Sequence, residues 1–292
     1  MAKFLQKILW ATDFSEEARE ALRYAETLAE PYGAEILGLH VMMDLSPVFY
    51  DTEVVIKGEF LARVNQVKQD IYRRLEKYKE SSPRLNQIMV KEGQEASVII
   101  ETAEEEKVDL IVMGKRGLSA VEKFFIGSVT TRVLHCSPAP VLVTKKKSGR
   151  PKFKKILVPT DFSEYEEFER DVAWELAKTL QADLTFLHVL ELHDYEFSPR
   201  ELDDLFDSLM KRLKRRKKRQ AEGFQVNEDV YRAINAGVGI VDYAETHHFD
   251  LIVMSTYTQS KLERFFLGST TEKVISYSNV PVWAIPPACY KK

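Results

Sequence analysis

Apolar residues along this chain fall into two patterns. Some form short unbroken runs, and others recur every third or fourth position through longer polar stretches. "KILWA", from Lys7, is a short apolar run and predicts a buried strand. Ser15, followed by Glu16 and Glu17, then reads as a helix N-cap with acids where a helix N-terminus favours them. Ala18, Ala21, Leu22, Ala25, Leu28 and Ala29 continue at helical spacing. "AEILGLHVM" predicts a second strand, and Val64, Val67, Ile71, Leu75 and Tyr78 fall on one face of a second helix. "QIMVKEG" and "ASVIIETAEEE" read as a third strand and helix, "DLIVMG" as a fourth strand. A fourth helix follows Ser128, and "PVLVT" closes the series as a fifth strand. Apolar strands separated by amphipathic helices imply a parallel sheet covered on both faces.

The series then repeats. "KILWATDFS" from Lys7 returns as "KILVPTDFS" from Lys155, and His40-Val41 returns at the same offset as His188-Val189. "DLIVMGKRG" from Asp109 matches "DLIVMSTYT" from Asp250, but at an offset seven residues shorter, so the second copy is trimmed between its second and fourth strands. Ser198-Pro199-Arg200-Glu201 has capping-box spacing with Pro at the first helical position. The join, "TKKKSGRPKFKK", is basic, contains Ser-Gly and Pro, and reads as a solvated linker. The boundary falls near Gly149, giving domains 1–148 and 149–292.

Composition excludes more than it selects. Hydrophobic residues at 45% and charged residues at 30% are ordinary for a globular chain. The start lacks the apolar core of a signal peptide and no run approaches a membrane span, so the expectation is a cytoplasmic protein without a membrane partner. Cys136 and Cys289 have no zinc or disulfide spacing and are expected to be buried small hydrophobes. Net charge is -3, and the run "KRLKRRKKR" from Lys211 continues a helix with Leu205, Leu209 and Leu213 on one face. A solvated helix end is favoured there over a nucleic-acid or lipid contact.

Candidate chemistry gathers at strand ends, where open α/β sheets bind ligands. Asp13 follows the first strand, Val41 ends the second and Gly114 follows the fourth. Gly127 and Ser128 precede the fourth helix, whose unpaired N–H groups suit an anion such as phosphate. Gly114, Gly117 and Gly127 are expected to let the backbone take positive φ and approach the ligand closely. Ser128 adds a hydroxyl donor, and Asp13 offers acceptors for ribose hydroxyls. Lys115, Arg116 and Lys123 are second-tier candidates for terminal phosphates. His40 and His188 read as packed structural residues, and His247-His248 has no ligand set for a metal.

The spacing Gly-x2-Gly-x9-Gly-Ser, the strand-end Asp and the tandem repeat together resemble the universal stress protein family, in its two-domain form. The resemblance covers essentially the whole chain. It implies two Rossmann-like domains of the adenine nucleotide alpha hydrolase type, each a five-stranded parallel sheet flanked by helices. It further implies ATP or another adenine nucleotide, with Mg as an accompanying ion. Asp13 would lie by the ribose, Val41 would meet the base through its backbone, Gly114, Gly117, Gly127, Ser128 and Val129 would surround the ribose and phosphates, and Ala11, Thr12 and Met113 complete the cofactor-binding set. The family also implies pairing of last strands across a two-fold axis, here "PVLVT" with "PVWAI" in an intramolecular pseudo-dimer, and homodimerisation as a further association.

The second copy keeps Asp161, Val189, Gly268 and Ser269, but Ser255 and Thr258 replace two glycines, so weaker or absent ATP binding is expected there. The chain has no Walker loop, no dinucleotide fingerprint and no nucleophile elbow. The reading is therefore a nucleotide-binding regulator of the stress response with slow ATP hydrolysis at most. Its alternative is a non-catalytic architectural protein in which nucleotide is minor.

Overall fold

The computed structural model describes residues 4–43, 54–117, 125–145, 149, 151–163, 166–192, 198–214, 223–256 and 268–291. The first half runs β1 (Lys7–Ala11), α1 (Glu16–Tyr32), β2 (Glu35–Met42), α2 (Val54–Ser81), β3 (Leu85–Glu92), α3 (Glu95–Glu105), β4 (Leu110–Gly114), α4 (Ser128–Cys136) and β5 (Val141–Thr144). The second repeats it as β6 (Lys155–Pro159), α5 (Glu166–Leu180), β7 (Asp183–Glu191), α6 (Pro199–Lys214), β8 (Val226–Ala233), α7 (Ala236–Thr246), β9 (Leu251–Ser255), α8 (Ser269–Tyr277) and β10 (Val282–Ile285). Strands within each half are parallel, with helices on both faces, as the apolar runs require.

The halves share one ten-stranded sheet in the order β3-β2-β1-β4-β5-β10-β9-β6-β7-β8. The join is antiparallel: Val141 faces Ala284, Leu142 faces Trp283 and Val143 faces Val282. Neither β5 nor β10 is left as an open apolar edge. Strand order reverses between β1 and β4 in one half and between β6 and β9 in the other, which places a crevice at each point.

Side-chain alternation divides the core between the two faces of the sheet. Ile8 and Trp10 join Leu28, Leu142 and Trp283 on one side, while Leu9 and Ala11 join Ile99, Val133 and Ala284 on the other. Each fully buried aliphatic side chain contributes roughly 1.5–3 kcal/mol. Both clusters run across the β5–β10 seam, so the apolar interior is continuous between the repeats.

Local signals in the sequence act as expected in several elements. Ser15 accepts a hydrogen bond from Ala18 N at 3.1 Å and caps α1. Ser198 N donates to Glu201 Oε2 at 2.8 Å and Glu201 N to Ser198 Oγ at 3.4 Å, closing the capping box of α6. The missing residues fall between the second and third strands of the repeat, because β2 and β7 keep the longer offset while β3 and β8 already show the shorter one.

Three expectations are corrected. Ile71 and Leu75 are buried, but Val67 is 46% exposed. A 28-residue helix extends about 42 Å. The eight-residue β3 covers only about 26 Å, so the first turns of α2 overhang the strand. Cys289 is buried, whereas Cys136, at the last turn of α4, is exposed. The join is solvated only in part: Phe153 is buried and packs edge-on against Tyr24 at 5.7 Å. Arg23 also reaches Gly149 O at 2.6 Å.

Candidate functional site

The first crevice is built by a double turn after β1. Thr12 Oγ1 accepts from Phe14 N at 3.0 Å, and Asp13 Oδ1 accepts from Ser15 N at 3.0 Å. These side-chain bonds hold Phe14 at φ 66, a conformation uncommon for an aromatic residue. Its ring stacks on His40 at 4.7 Å and carries the Arg74 guanidinium at 4.0 Å. His40 Nδ1 lies 2.7 Å from Thr12 O and must donate to it, since a carbonyl oxygen only accepts. Burial holds the His40 imidazole below the usual histidine value, outweighing the opposite influence of Thr12 and Asp13. His40 is thus a neutral clamp that fixes the turn.

All ten candidate residues line one cavity of about 270 Å³: Ala11, Thr12, Asp13, Val41, Met113, Gly114, Gly117, Gly127, Ser128 and Val129. Leu39, Ile99, Glu95 and Arg116 are among the other residues of its walls, which are apolar toward the sheet and polar toward α4. Gly127 is the N-cap of α4 and no side chain caps that helix. Its first turn therefore presents main-chain donors to the cavity mouth.

The reason for glycine differs from the expectation. None of Gly114, Gly117 and Gly127 has positive φ. Space decides instead at Gly114, where backbone is in the way, while at Gly117 the crowding atom is the far end of the Asp13 side chain. A Cβ at position 114 would lie 2.9 Å from Glu17 Cβ and 3.0 Å from its carbonyl carbon, because α1 lies directly against the end of β4. At position 117 it would meet Asp13 Oδ2 at 2.6 Å. Position 127 has ordinary room, 3.5 Å from the nearest atom, Lys115 O.

The basic candidates separate. Lys115 does not line the cavity; it is 1% exposed, and its Nζ donates across the seam to Ser276 O in the last turn of α8. Burial, then Lys145 and Arg116, push its pKa down to about 8. Arg116 lines the cavity but is held by Glu17, which accepts from Arg116 N at 2.8 Å and from Nε at 3.0 Å. Lys123 lies outside the described residues. In the sequence Glu17 was read only as a helix-start acid and Phe14 was not singled out. The duplicated "TDFS" is the signal for the second, since Phe162 has φ 61 and lies tilted against His188 with ring centroids 4.5 Å apart.

The second crevice shares that frame. Thr160 O meets His188 Nδ1 at 2.8 Å, Asp161 Oδ1 accepts from Ser163 N at 2.9 Å, and Gly268 is an uncapped N-cap for α8. Its cavity is larger, about 420 Å³, and lined by Asp161, Glu169 and Glu191. Glu169, 6% exposed, accepts from Ser255 main chain and hydroxyl and sits 3.5 Å from Tyr290 Oη. Burial, then Asp161, push its pKa up to about 8. Thr258 lies outside the described residues. Among the described residues no cluster of His, Cys, Asp or Glu is set to hold a metal, and no helix is long and apolar enough to cross a membrane.

Comparison with known proteins gives consistent relatives. The profile of the universal stress protein family matches residues 5–145 and again 152–286. A universal stress protein of Methanocaldococcus jannaschii is 33% identical over 142 residues, 48% of this chain and 82% of its own. One from Synechocystis is 24% identical over 306 residues, covering 95% of this chain and 99% of its own. Among solved structures, a universal stress protein from Archaeoglobus fulgidus superposes with a TM-score of 0.69 at 22% identity, over 97% of both chains. That likeness shows the same fold. With the family profile matching both halves, over nearly all of the chain, the chain belongs to the universal stress protein family, as a tandem two-domain member.

Proposed function

We propose that the protein binds ATP, free or as its Mg complex, in the cavity of the first half and acts as a nucleotide-responsive regulator of the stress response. One observation carries this reading: the turn holding Asp13, the close-packed Gly114 and Gly117, and the uncapped N-terminus of α4 all open on the same cavity. In this reading the adenine lies along Val41 and Met113, Asp13 accepts from the ribose hydroxyls, and the phosphates lie over the first turn of α4. The donors are main-chain groups already fixed by the helix, so binding an anion there needs little reorganisation.

Isothermal titration with ATP tests this. One equivalent per chain is expected for the wild type. Gly117→Val, whose Cβ must displace Asp13, is expected to bind at least ~30-fold more weakly, about 2 kcal/mol. Equal binding by wild type and variant, or none by either, would refute it. The continuous sheet across β5 and β10 favours a second, architectural reading, which gains if ATP leaves wild-type thermal stability unchanged.

A further inference from the structure

The second crevice differs from the first mainly in its acidic residues: Glu95 of the first cavity is Ala236 here, while carboxylates are gained at other positions. Compared with the first, Glu169 replaces Ala21, Glu191 replaces Met43, Ser255 replaces Gly114, and Glu272 replaces Thr131 in the first turn of the helix at the cavity mouth. Three of these four changes add a carboxylate, and the fourth supplies Ser255, which hydrogen-bonds one of them. Among the described residues no lysine or arginine lines this cavity. An acidic side chain in the first turn of α8 already occupies the dipole that would favour phosphate, and the carboxylate of Glu191 adds to the repulsion, whereas Glu169, its pKa pushed up to about 8 by burial, is largely protonated at pH 7. The crevice has nevertheless stayed open, at about 420 Å³, and has kept the Asp161 turn, the His188 clamp and the apolar wall of Val189, Ile240 and Met254.

The acceptors are rigidly held. Asp161 is fixed by Ser163 N, and Glu191 Oε1 accepts from Ala236 N at 2.5 Å at the start of α7. Glu169 is anchored by Ser255 and Tyr290, and in its protonated form it adds a donor. These carboxylates are too dispersed to cage a metal ion, since no described cluster has the required geometry. That leaves an organic ligand with a flat apolar part and several hydrogen-bond donors.

We propose that the cavity of the second half is a ligand site in its own right, selective for a phosphate-free nucleoside over the corresponding nucleotide. The nucleoside class rests on the reading of the first site, because the features retained are those assigned there to base and ribose. The exclusion of phosphate rests on the second half's own residues.

The test is isothermal titration of the Gly117→Val chain with adenosine and, separately, ATP at pH 7. One equivalent of adenosine is expected, with ATP at least tenfold weaker in the same protein. Asp161→Asn added to that background is expected to weaken adenosine at least tenfold. Absence of adenosine binding, ATP binding as tight as adenosine, or indifference to Asp161→Asn would each overturn the proposal. If Gly117→Val does not fold, Asp161→Asn in the wild-type chain replaces it: loss of one adenosine equivalent supports the proposal, and unchanged binding overturns it. ATP binding by the wild type reports on the first site alone, so the two readings fail separately.

Discussion

The two crevices are built on one backbone and differ in what fills the space at the end of the fourth strand of each repeat. In the first half α1 lies so close to β4 that position 114 has no room for a Cβ, and Glu17 from that helix holds Arg116 at the cavity wall. In the second half Ser255 occupies the same position and hydrogen-bonds a buried Glu169 projecting from α5. A duplicated fold thus retains its turn chemistry and strand order while a few side chains change which polar groups line the site. The strongest break of this comparison is to give the first half the second half's residue. Gly114→Ser is expected to weaken ATP binding by ~30-fold or more and to lower stability by about 3 kcal/mol, as for other overpacked core positions. Calorimetric titration and urea denaturation measure the two effects.

Glu169 gives the next largest effect, and its sign follows from linkage. Its folded pKa, about 8, lies above the usual carboxylate value of 4.5, so between these values the native state holds a proton that the unfolded chain has released. Wild-type stability therefore falls as pH rises from 4.5 to about 8 and is lowest above it. Asp161 and Tyr290 are the titratable groups facing Glu169, and Asp161 adds to the rise. Glu169→Gln keeps the shape and removes the charge. It is expected to be more stable than wild type at pH 9, on the order of 2 kcal/mol, with the difference shrinking toward pH 5. Thermal melts across that range decide the matter, and parallel curves would show that the carboxyl is not buried as described.

Lys115 provides a contrast at the seam, where its counterpart is Thr256. Its folded pKa, about 8, lies below the usual 10.5, so the unfolded chain binds more protons in this window and wild-type stability rises with pH from 8 to 10.5. Lys115→Met is expected to lose about 1 kcal/mol relative to wild type over that interval. Because Lys115 ties the loop after β4 to the last turn of α8, the same variant tests whether the two halves are coupled through this bond.

The fold was legible because its signals are local and repeated. Short unbroken apolar runs marked the strands, Ser15 and Ser198 marked two helix starts, and "TDFS" occurring twice marked the turn at each crevice. The ten candidate residues converge on one cavity because strand ends at a reversal of order are brought together by topology alone. What was not legible depends on distances between elements far apart in sequence. The close approach of Glu17 to Gly114, the burial of Lys115 against Ser276 and the placement of Glu169 beneath Ser255 each join segments tens of residues or more apart. No periodicity encodes such contacts. The glycines illustrate this: none has positive φ, and at Gly114 what excludes a side chain is the packing of α1 against the end of β4, a contact no local pattern encodes.

The smallest effect lies at a helix start that the repeats solved differently. Asn235 caps α7 by accepting from Val238 N at 3.4 Å, whereas its counterpart Gln94, at the start of α3, makes no cap bond and instead accepts from Ser97 Oγ at 3.0 Å. The longer glutamine side chain places its oxygen beyond the main-chain donors of the first turn, and that turn keeps one donor unsatisfied by its cap. Gln94→Asn is therefore expected to stabilise the protein by about 0.5 kcal/mol, and Asn235→Gln to destabilise it by a similar amount. Both helices border the crevices, through Glu95 in the first and Ala236 in the second, so ligand titration of the same variants separates a cap effect from a site effect. A change in urea midpoint with unaltered ATP affinity is the outcome the geometry requires, because the cap bond turns toward its own helix and not toward the cavity.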